Sequence, residues 1–141
     1  MSLISALDVN ASGLTAQRKR VEISSSNLAN SQTTRTLEGG PYRRQQVVLE
    51  TTSFEQSLGN ALVDGAQGVE VSQVLEDTRP FDRRYEPGHP DADSEGYVLY
   101  PNVSSLEEMA TLMSASRSYE ANLAAIGVVK SMISRTMEIG R

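Results

Sequence analysis

The 141-residue chain contains no cysteine and no tryptophan, and only two phenylalanines and five tyrosines. Without cysteine it can form neither a disulfide framework nor a thiolate metal site. Such a chain suits the cytosol, and it equally suits passage in unfolded form through an export channel. Large aromatic side chains usually dominate a core, so this chain has few of the side chains that line a buried pocket. The length is that of one domain. A compact enzyme with a deep substrate site is therefore not expected.

Long apolar runs are also missing. The longest, residues 124–129, is far too short to cross a bilayer, and the first ten residues lack the basic and apolar regions of a signal peptide. We therefore expect neither membrane insertion nor a cleaved leader. The net charge is −5, and no basic stripe indicates a nucleic-acid partner. The short cluster Arg18-Lys19-Arg20 is interpreted as a solvated helix face or a subunit contact.

Catalytic and metal-binding patterns are nearly absent. His89 is the only histidine, and it lies between glycine and proline in a predicted turn, where a general base is poorly placed. Three acidic residues followed by glycine imitate the start of a calcium loop: Asp91, Asp93, Glu95 and Gly96. The twelfth position, which needs a bidentate glutamate, is Asn102. We therefore predict a polar loop with Asx turns, no cofactor and no small-molecule substrate; a calcium-dependent regulator is the alternative.

The N-terminal segment predicts a helix over about residues 1–30. Four apolar residues recur there at an interval of seven: Leu7, Leu14, Val21 and Leu28. This is the spacing of a coiled-coil seam. The companion positions Asn10, Gln17 and Ser24 are polar, and Gly13 is a weak helix former. Such a helix needs a partner to be stable. The alternative is one amphipathic helix of an ordinary bundle.

The middle segment, residues 37–102, predicts a small β-rich module with long loops. The β-branched or aromatic residues 42–50, 69–75 and 97–100 are typical of strands, and residues 54–63 fit either a short helix or a loop. Glycines and prolines mark turns at residues 39–41, 87–90 and 101.

The C-terminal segment, residues 103–141, gives the strongest helix pattern. Ser104 or Ser105 can cap the helix, with Glu107 or Glu108 completing a capping box. The apolar positions that repeat at three- and four-residue spacing include Met109, Leu112, Tyr119, Leu123, Ile126 and Ile133. About 35 residues at ~1.5 Å each form a rod of about 50 Å, longer than a seventy-residue module can cover. The helix must therefore pack on the N-terminal helix or on a neighbouring chain.

Together these segments predict an α+β fold. Residues 1–36 and 103–141 are expected to form one discontinuous, coiled-coil-like helical domain, and the module of residues 37–102 is inserted between them. The residues expected to form an assembly interface are Leu7, Leu14, Val21, Leu28, Met109, Leu112, Tyr119, Leu123, Ile126 and Ile133.

Several stretches carry a family resemblance. Near the start they are Asn27-Leu28-Ala29-Asn30 and Thr33-Thr34-Arg35; near the end they are Glu107-Glu108-Met109, Ser116-Arg117 and Tyr119-Glu120-Ala121-Asn122. These resemble the terminal motifs of the bacterial flagellar axial proteins, specifically the rod proteins of the basal body. Residues 39–44, 86–93, 96–98 and 100–103 resemble the proximal rod member in particular.

The resemblance implies a structural subunit and no enzymatic activity. Family members leave the cytoplasm unfolded through the flagellar type III export apparatus, without cleavage. They polymerise helically in the periplasm with copies of themselves and with other rod proteins, and the rod carries motor torque to the hook. The β-rich module is then expected further from the axis than the helices. The alternative from another class is an adaptor or export-chaperone-like module that forms a small complex of defined stoichiometry.

Overall fold

The computed structural model describes residues 3–53 and 67–139, with two long helices and four strands. In chain order the elements are α1 (Leu3–Ala29), β1 (Gln45–Ser53), β2 (Gln67–Glu76), β3 (Asp82–Tyr85), β4 (Tyr97–Tyr100) and α2 (Ser105–Ile139). The predicted α+β class, with a long helix near each end and a β module between them, is confirmed. The segment 54–63, predicted as a short helix or a loop, lies outside the described residues.

The two helices pack against each other in antiparallel orientation. Asn27, near the end of α1, donates a hydrogen bond to Glu108 at the start of α2. Gly13, halfway along α1, lies so close to α2 that a Cβ atom there would stand 2.8 Å from Nδ2 of Asn122. Glycine is a poor helix former, and its place in α1 is explained by this close approach.

The seam between the helices differs from the predicted apolar stripe. Apart from Ile23, the fully buried residues of both helices are small or polar: Ser5, Ala16, Ser24 and Asn27 on α1, and Glu108 and Ala115 on α2. The heptad residues Leu7, Leu14, Val21 and Leu28 are only half-buried. A seam of this kind buries little apolar area, so it contributes less to stability than a leucine-rich one.

The start of α2 matches one of the two predicted caps. The backbone N–H of Glu107 donates to Oγ of Ser104 at 3.4 Å, which makes Ser104 the N-cap. The antiparallel register, with Asn27 at Glu108 and Gly13 at Asn122, leaves about the last two turns of α2 beyond Leu3. Neither helix, as far as the chain is described, has a stretch long and apolar enough to span a membrane.

The β module consists of two antiparallel two-stranded sheets. Strands β1 and β2 pair with an irregularity between Val48 and Leu49, and β3 pairs with β4. The first sheet lies on α1, where the backbone N–H of Val69 donates to Oγ of Ser12 at 3.1 Å. The strand predicted at 97–100 is confirmed with the same bounds, and that at 69–75 is extended to Gln67–Glu76.

Two details of the strand prediction were wrong. The first strand was expected from residue 42, but it begins at Gln45. Residues 42 and 44 are held outside the sheet, because the N–H of Tyr42 donates to the carbonyl of Thr33 and the N–H of Arg44 donates to Oδ1 of Asn102. Strand β3 was missed because all four of its residues are exposed and mostly charged, so it carries no alternating pattern.

Candidate assembly interface

Glu108 is a buried carboxylate at the point where both helices meet the β module. It lies in the first turn of α2 and is 1% exposed. Its Oε1 accepts a hydrogen bond of 2.6 Å from Nε of Arg44, and its Oε2 accepts one of 3.2 Å from Nδ2 of Asn27. The N-terminus of a helix also favours a negative charge. Burial of this charge is therefore compensated by a cation, an amide and the helix end.

Asn27 joins three elements through one side chain. Its Oδ1 accepts hydrogen bonds from the N–H of Gln45 at 2.9 Å and from the hydroxyl of Tyr42 at 3.0 Å. Its Nδ2 donates to the carbonyl of Gln45 at 2.8 Å as well as to Glu108. This uses both amide hydrogens and both lone pairs of the side chain. Asn27 therefore fixes the end of α1 to the start of β1 and to α2.

Asp77 and Asn102 extend this network on the other side of Arg44. Nη1 of Arg44 lies 3.4 Å from Oδ2 of Asp77. Hydrogen bonds from the side chain and the backbone N–H of Arg79 hold the pKa of Asp77 well below its usual range. Nδ2 of Asn102 donates to the carbonyls of Asp77 and Arg79, at 3.2 and 3.1 Å.

These residues form one hydrogen-bonded network, which we call the polar junction: Asn27, Arg44, Asp77, Asn102 and Glu108. It joins the end of α1, the start of β1, the end of β2 and the start of α2. Among the described residues, every buried side-chain nitrogen and oxygen has a hydrogen-bond partner. A fully satisfied network of this kind specifies one arrangement of the elements that it connects.

The loop of residues 91–96, which we call the acidic loop, uses its carboxylates in hydrogen bonds and ion pairs within the protein. Oδ2 of Asp91 accepts a hydrogen bond of 2.8 Å from Thr34, and Arg35 lies 3.5 Å from its Oδ1. Oδ1 of Asp93 accepts from the backbone N–H groups of Tyr97 and Glu95, both at 2.9 Å. The bond from Tyr97 is the main cause of a lowered pKa at Asp93. A predicted Asx turn is therefore present at Asp93.

Two further observations bear on the rejected metal and catalytic sites. His89 accepts a hydrogen bond at Nδ1 from the backbone N–H of Asp91, so it stabilises the turn. Within residues 3–53 and 67–139, no group of three or more His, Asp or Glu side chains is placed to hold a metal ion.

The structure brings some motif residues together and leaves others apart. Asn27 and Glu108, 81 positions apart in sequence, meet in the polar junction, and Thr34 and Arg35 contact the acidic loop. Asn30 and Thr33 are bonded to each other through their side chains. Half-buried motif residues on the helices are Leu28, Ser116, Tyr119 and Asn122; exposed ones are Ala29, Glu107, Met109, Arg117, Glu120 and Ala121.

Three members of the polar junction were not predicted as functional residues: Arg44, Asp77 and Asn102. One sequence signal pointed towards them. Adjacent Glu107 and Glu108 diverge by about 100° on a helix, so the two carboxylates have different surroundings. A carboxylate that faces the protein requires a cation, and Arg43-Arg44 is the nearest pair of arginines before the first strand.

The ten residues predicted for assembly all remain partly accessible in the single chain. Eight are half-buried, and Met109 and Leu123 are exposed. Helix α2 also carries further large apolar side chains that are at least half exposed: Leu106, Met113, Val128, Met132 and Met137. Scattered apolar residues are common on surfaces, but a set this dense on one helix is typical of an interaction surface.

Comparison with known proteins agrees with this arrangement. A family profile described as flagella basal body rod protein matches residues 7–35, and one described as flagellar basal body rod FlgEFG protein C-terminal matches residues 94–139. The flagellar basal-body rod protein FlgC of Bacillus subtilis is 44% identical, with all of both chains covered. FlgC of Escherichia coli O6:H1 is 42% identical, again over all of both chains. FlgC of Borreliella burgdorferi is 40% identical over 99% of this chain and 98% of that protein.

The matched regions contain both terminal motifs and most of the polar junction. Identity above 30% over the full length of several relatives leaves no part of the chain outside the likeness. The chain therefore belongs to the family of the flagellar basal-body rod protein FlgC.

Proposed function

We propose that this chain, a structural subunit of the flagellar basal-body rod, polymerises there through α1 and α2. The observation that carries the proposal is the apolar surface of α2, where seven large side chains are at least half exposed in the single chain. Their burial between neighbouring subunits removes apolar area from water and drives association. The partners are copies of this chain and other rod proteins.

The route by which the subunit reaches the rod is part of the same proposal. The subunit leaves the cytoplasm through the flagellar type III apparatus without cleavage of a leader, and it assembles in the periplasmic, proximal part of the rod. A chain without cysteine passes an oxidising compartment without forming disulfides. Contacts between different surfaces of successive subunits then extend as a helix. The resulting rod transmits motor torque to the hook.

The residues buried between α1 and α2 support a mechanism in which the helix pair becomes fully ordered only when neighbouring subunits bind it. Because most of the buried residues of the two helices are small or polar, the contact between the helices buries little apolar area in the single chain. Neighbouring subunits bind the paired form, and binding stabilises it by mass action. The polar junction fixes the β module to the helix ends, and the module lies outside the helical layer.

Substitution of Leu123 tests the proposal. Its side chain is 53% exposed, so an aspartate there remains solvated in the free subunit. In a packed interface between helices the same carboxylate is desolvated and unpaired, which costs several kcal/mol at every contact. We expect Leu123→Asp to leave the unfolding midpoint of the purified chain nearly unchanged and to abolish complete rods and swimming.

The matched control is Glu138→Gln, at an exposed position near the end of the same helix, which should swim normally. Complete rods in Leu123→Asp cells, seen by electron microscopy of basal bodies, would show that this face is not buried in the assembly. Unfolding of the purified Leu123→Asp subunit would place Leu123 in an intramolecular core instead.

A further inference from the structure

A fully exposed leucine stands at the tip of the turn between α1 and β1. Leu37 is the most exposed large apolar side chain in the described part of the chain. The turn around it, residues 36–40, is closed by hydrogen bonds: Thr36 N–H to the Gly40 carbonyl at 2.8 Å, and Gly39 N–H to the Thr36 carbonyl at 3.1 Å. Gly39 and Gly40 have φ of 89° and 76°, which favours glycine at both positions.

The base of this turn is fixed to the body of the protein. Thr34 donates to Asp91, and the N–H of Tyr42 donates to the carbonyl of Thr33 at 3.0 Å. The turn is thus ordered on both sides of Leu37. A contact made by an ordered turn avoids much of the entropy loss that a flexible loop suffers on binding.

A small apolar cleft lies elsewhere on the surface, between α1 and α2. Its volume is about 190 Å³, and it is lined by Arg18, Val21, Ser116 and Tyr119. Val21 and Tyr119 are only half-buried, so the cleft is open to solvent. A cavity of about 150 Å³ admits benzene. The smaller side chain of a leucine therefore fits this cleft, and the chain's own Leu37 does not occupy it.

The turn and the cleft also carry charges of opposite sign. Glu38 follows Leu37 and is exposed; Arg18 lines the cleft and is exposed. Within the part of the chain that the structure describes, neither side chain has an ion-pair partner, whereas the neighbouring Lys19 is paired with Glu22 at 2.9 Å. Complementary charges beside an apolar contact fix its register and favour the correct partner.

We propose that Leu37 of one subunit inserts between Val21 and Tyr119 of a second copy of this chain, with Glu38 paired to Arg18. The inference rests on the proposed assembly function and names one of its contacts. Because the turn and the cleft are different surfaces, the contact is heterologous and can repeat from subunit to subunit as a helix.

Cysteine cross-linking tests this contact directly, because the chain has no cysteine of its own. Val21→Cys and Leu37→Cys chains are co-expressed in flagellated cells, so that a mixed disulfide can form only between copies. Basal bodies are purified, oxidised and analysed by mass spectrometry. We expect at least about tenfold more mixed disulfide than with Leu106→Cys in place of Leu37→Cys, since Leu106 is also exposed but lies on α2 and not in the turn.

The possible results separate this inference from the proposed function. Complete rods that contain both variants but no Val21–Leu37 disulfide above the control overturn the contact and leave rod assembly intact. Absence of the chain from purified rods overturns the proposed function itself. A disulfide-linked pair of soluble subunits, without rods, would show a closed dimer and would contradict the repeating contact.

Charge reversal provides a second test that needs no cross-link. Arg18→Glu and Glu38→Arg should each weaken the contact about fivefold and reduce swimming, because each places like charges together. The double variant restores the opposite pairing and should recover most of the swimming. Both residues are exposed, so we expect each substitution to change the stability of the fold by no more than about 0.5 kcal/mol. A double variant no better than the worse single variant would contradict the Glu38–Arg18 pair.

Discussion

Removal of the cation that faces Glu108 is the sharpest test of the polar junction. Arg44→Met keeps an apolar stem of similar length and deletes the guanidinium that lies 2.6 Å from Glu108. Glu108 is 1% exposed, so it is left as a buried charge with only Asn27 and the helix end as compensation. Breaking a buried pair in this way costs about 3–5 kcal/mol. Asp77, the other carboxylate near Arg44, keeps Arg79 and adds little to the loss.

That loss is a large part of the stability of a domain, which is about 5–15 kcal/mol. With a urea dependence of about 2 kcal/mol per M, the unfolding midpoint of Arg44→Met should fall by about 2 M. Circular dichroism of the purified chain in urea at pH 7 measures this shift. The double variant Arg44→Met/Glu108→Gln removes the stranded charge, so it should recover at least about 2 kcal/mol of the loss.

Lys19→Met is the matched control. Lys19 forms a surface pair with Glu22 at 2.9 Å, and such pairs contribute about 0–1 kcal/mol. If Arg44→Met and Lys19→Met lower the midpoint equally, Glu108 is solvated in the native protein and the polar junction does not hold the helices to the module.

Three further predictions concern other parts of the chain. Gly13→Ala should stabilise α1 by less than the ~1 kcal/mol expected from helix propensity, because Asn122 must move; Gly13→Ala with Asn122→Ala should recover that gain in urea unfolding. The lowered pKa of Asp77 contributes stability above about pH 4 that is lost at lower pH, so the deficit of Asp77→Asn relative to the native chain should shrink between pH 5 and pH 2 in the same assay. Calorimetric titration should show no micromolar calcium affinity, since Asp91 is bonded to Thr34; tight binding abolished by Asp91→Ala would contradict this.

The sequence predicted the helices and strands whose residues follow a recognisable pattern, and it missed β3, which has none. Both helices and three strands follow from spacing, β-branched residues and a serine cap, which are local signals. Strand β3 carries charged side chains on both faces, so no alternation marks it. Its partner β4 contains Tyr97, Val98 and Tyr100, and these aromatic and β-branched residues were sufficient to predict the strand.

The site was harder to predict than the fold, because its residues are polar and distant in sequence. Asn27, Arg44 and Glu108 meet only through the antiparallel register of the helices, which no short motif specifies. The heptad spacing identified apolar residues on α1 that are only half-buried, whereas Ala16 and Ile23 are the apolar residues of α1 that are fully buried. Whether Leu7, Leu14 and the other assembly residues contact a neighbour stays a prediction.

The polar junction has a mechanical consequence. Hydrophobic contacts have no preferred direction, so two apolar surfaces can slide past each other with little resistance. The bonds from Arg44 and Asn27 to Glu108 are directional and charge-assisted, and they weaken steeply when their angles change. They lie where the β module meets the ends of both helices. A sideways load on the module therefore acts on these directional bonds, which resist displacement of the module relative to the helix pair.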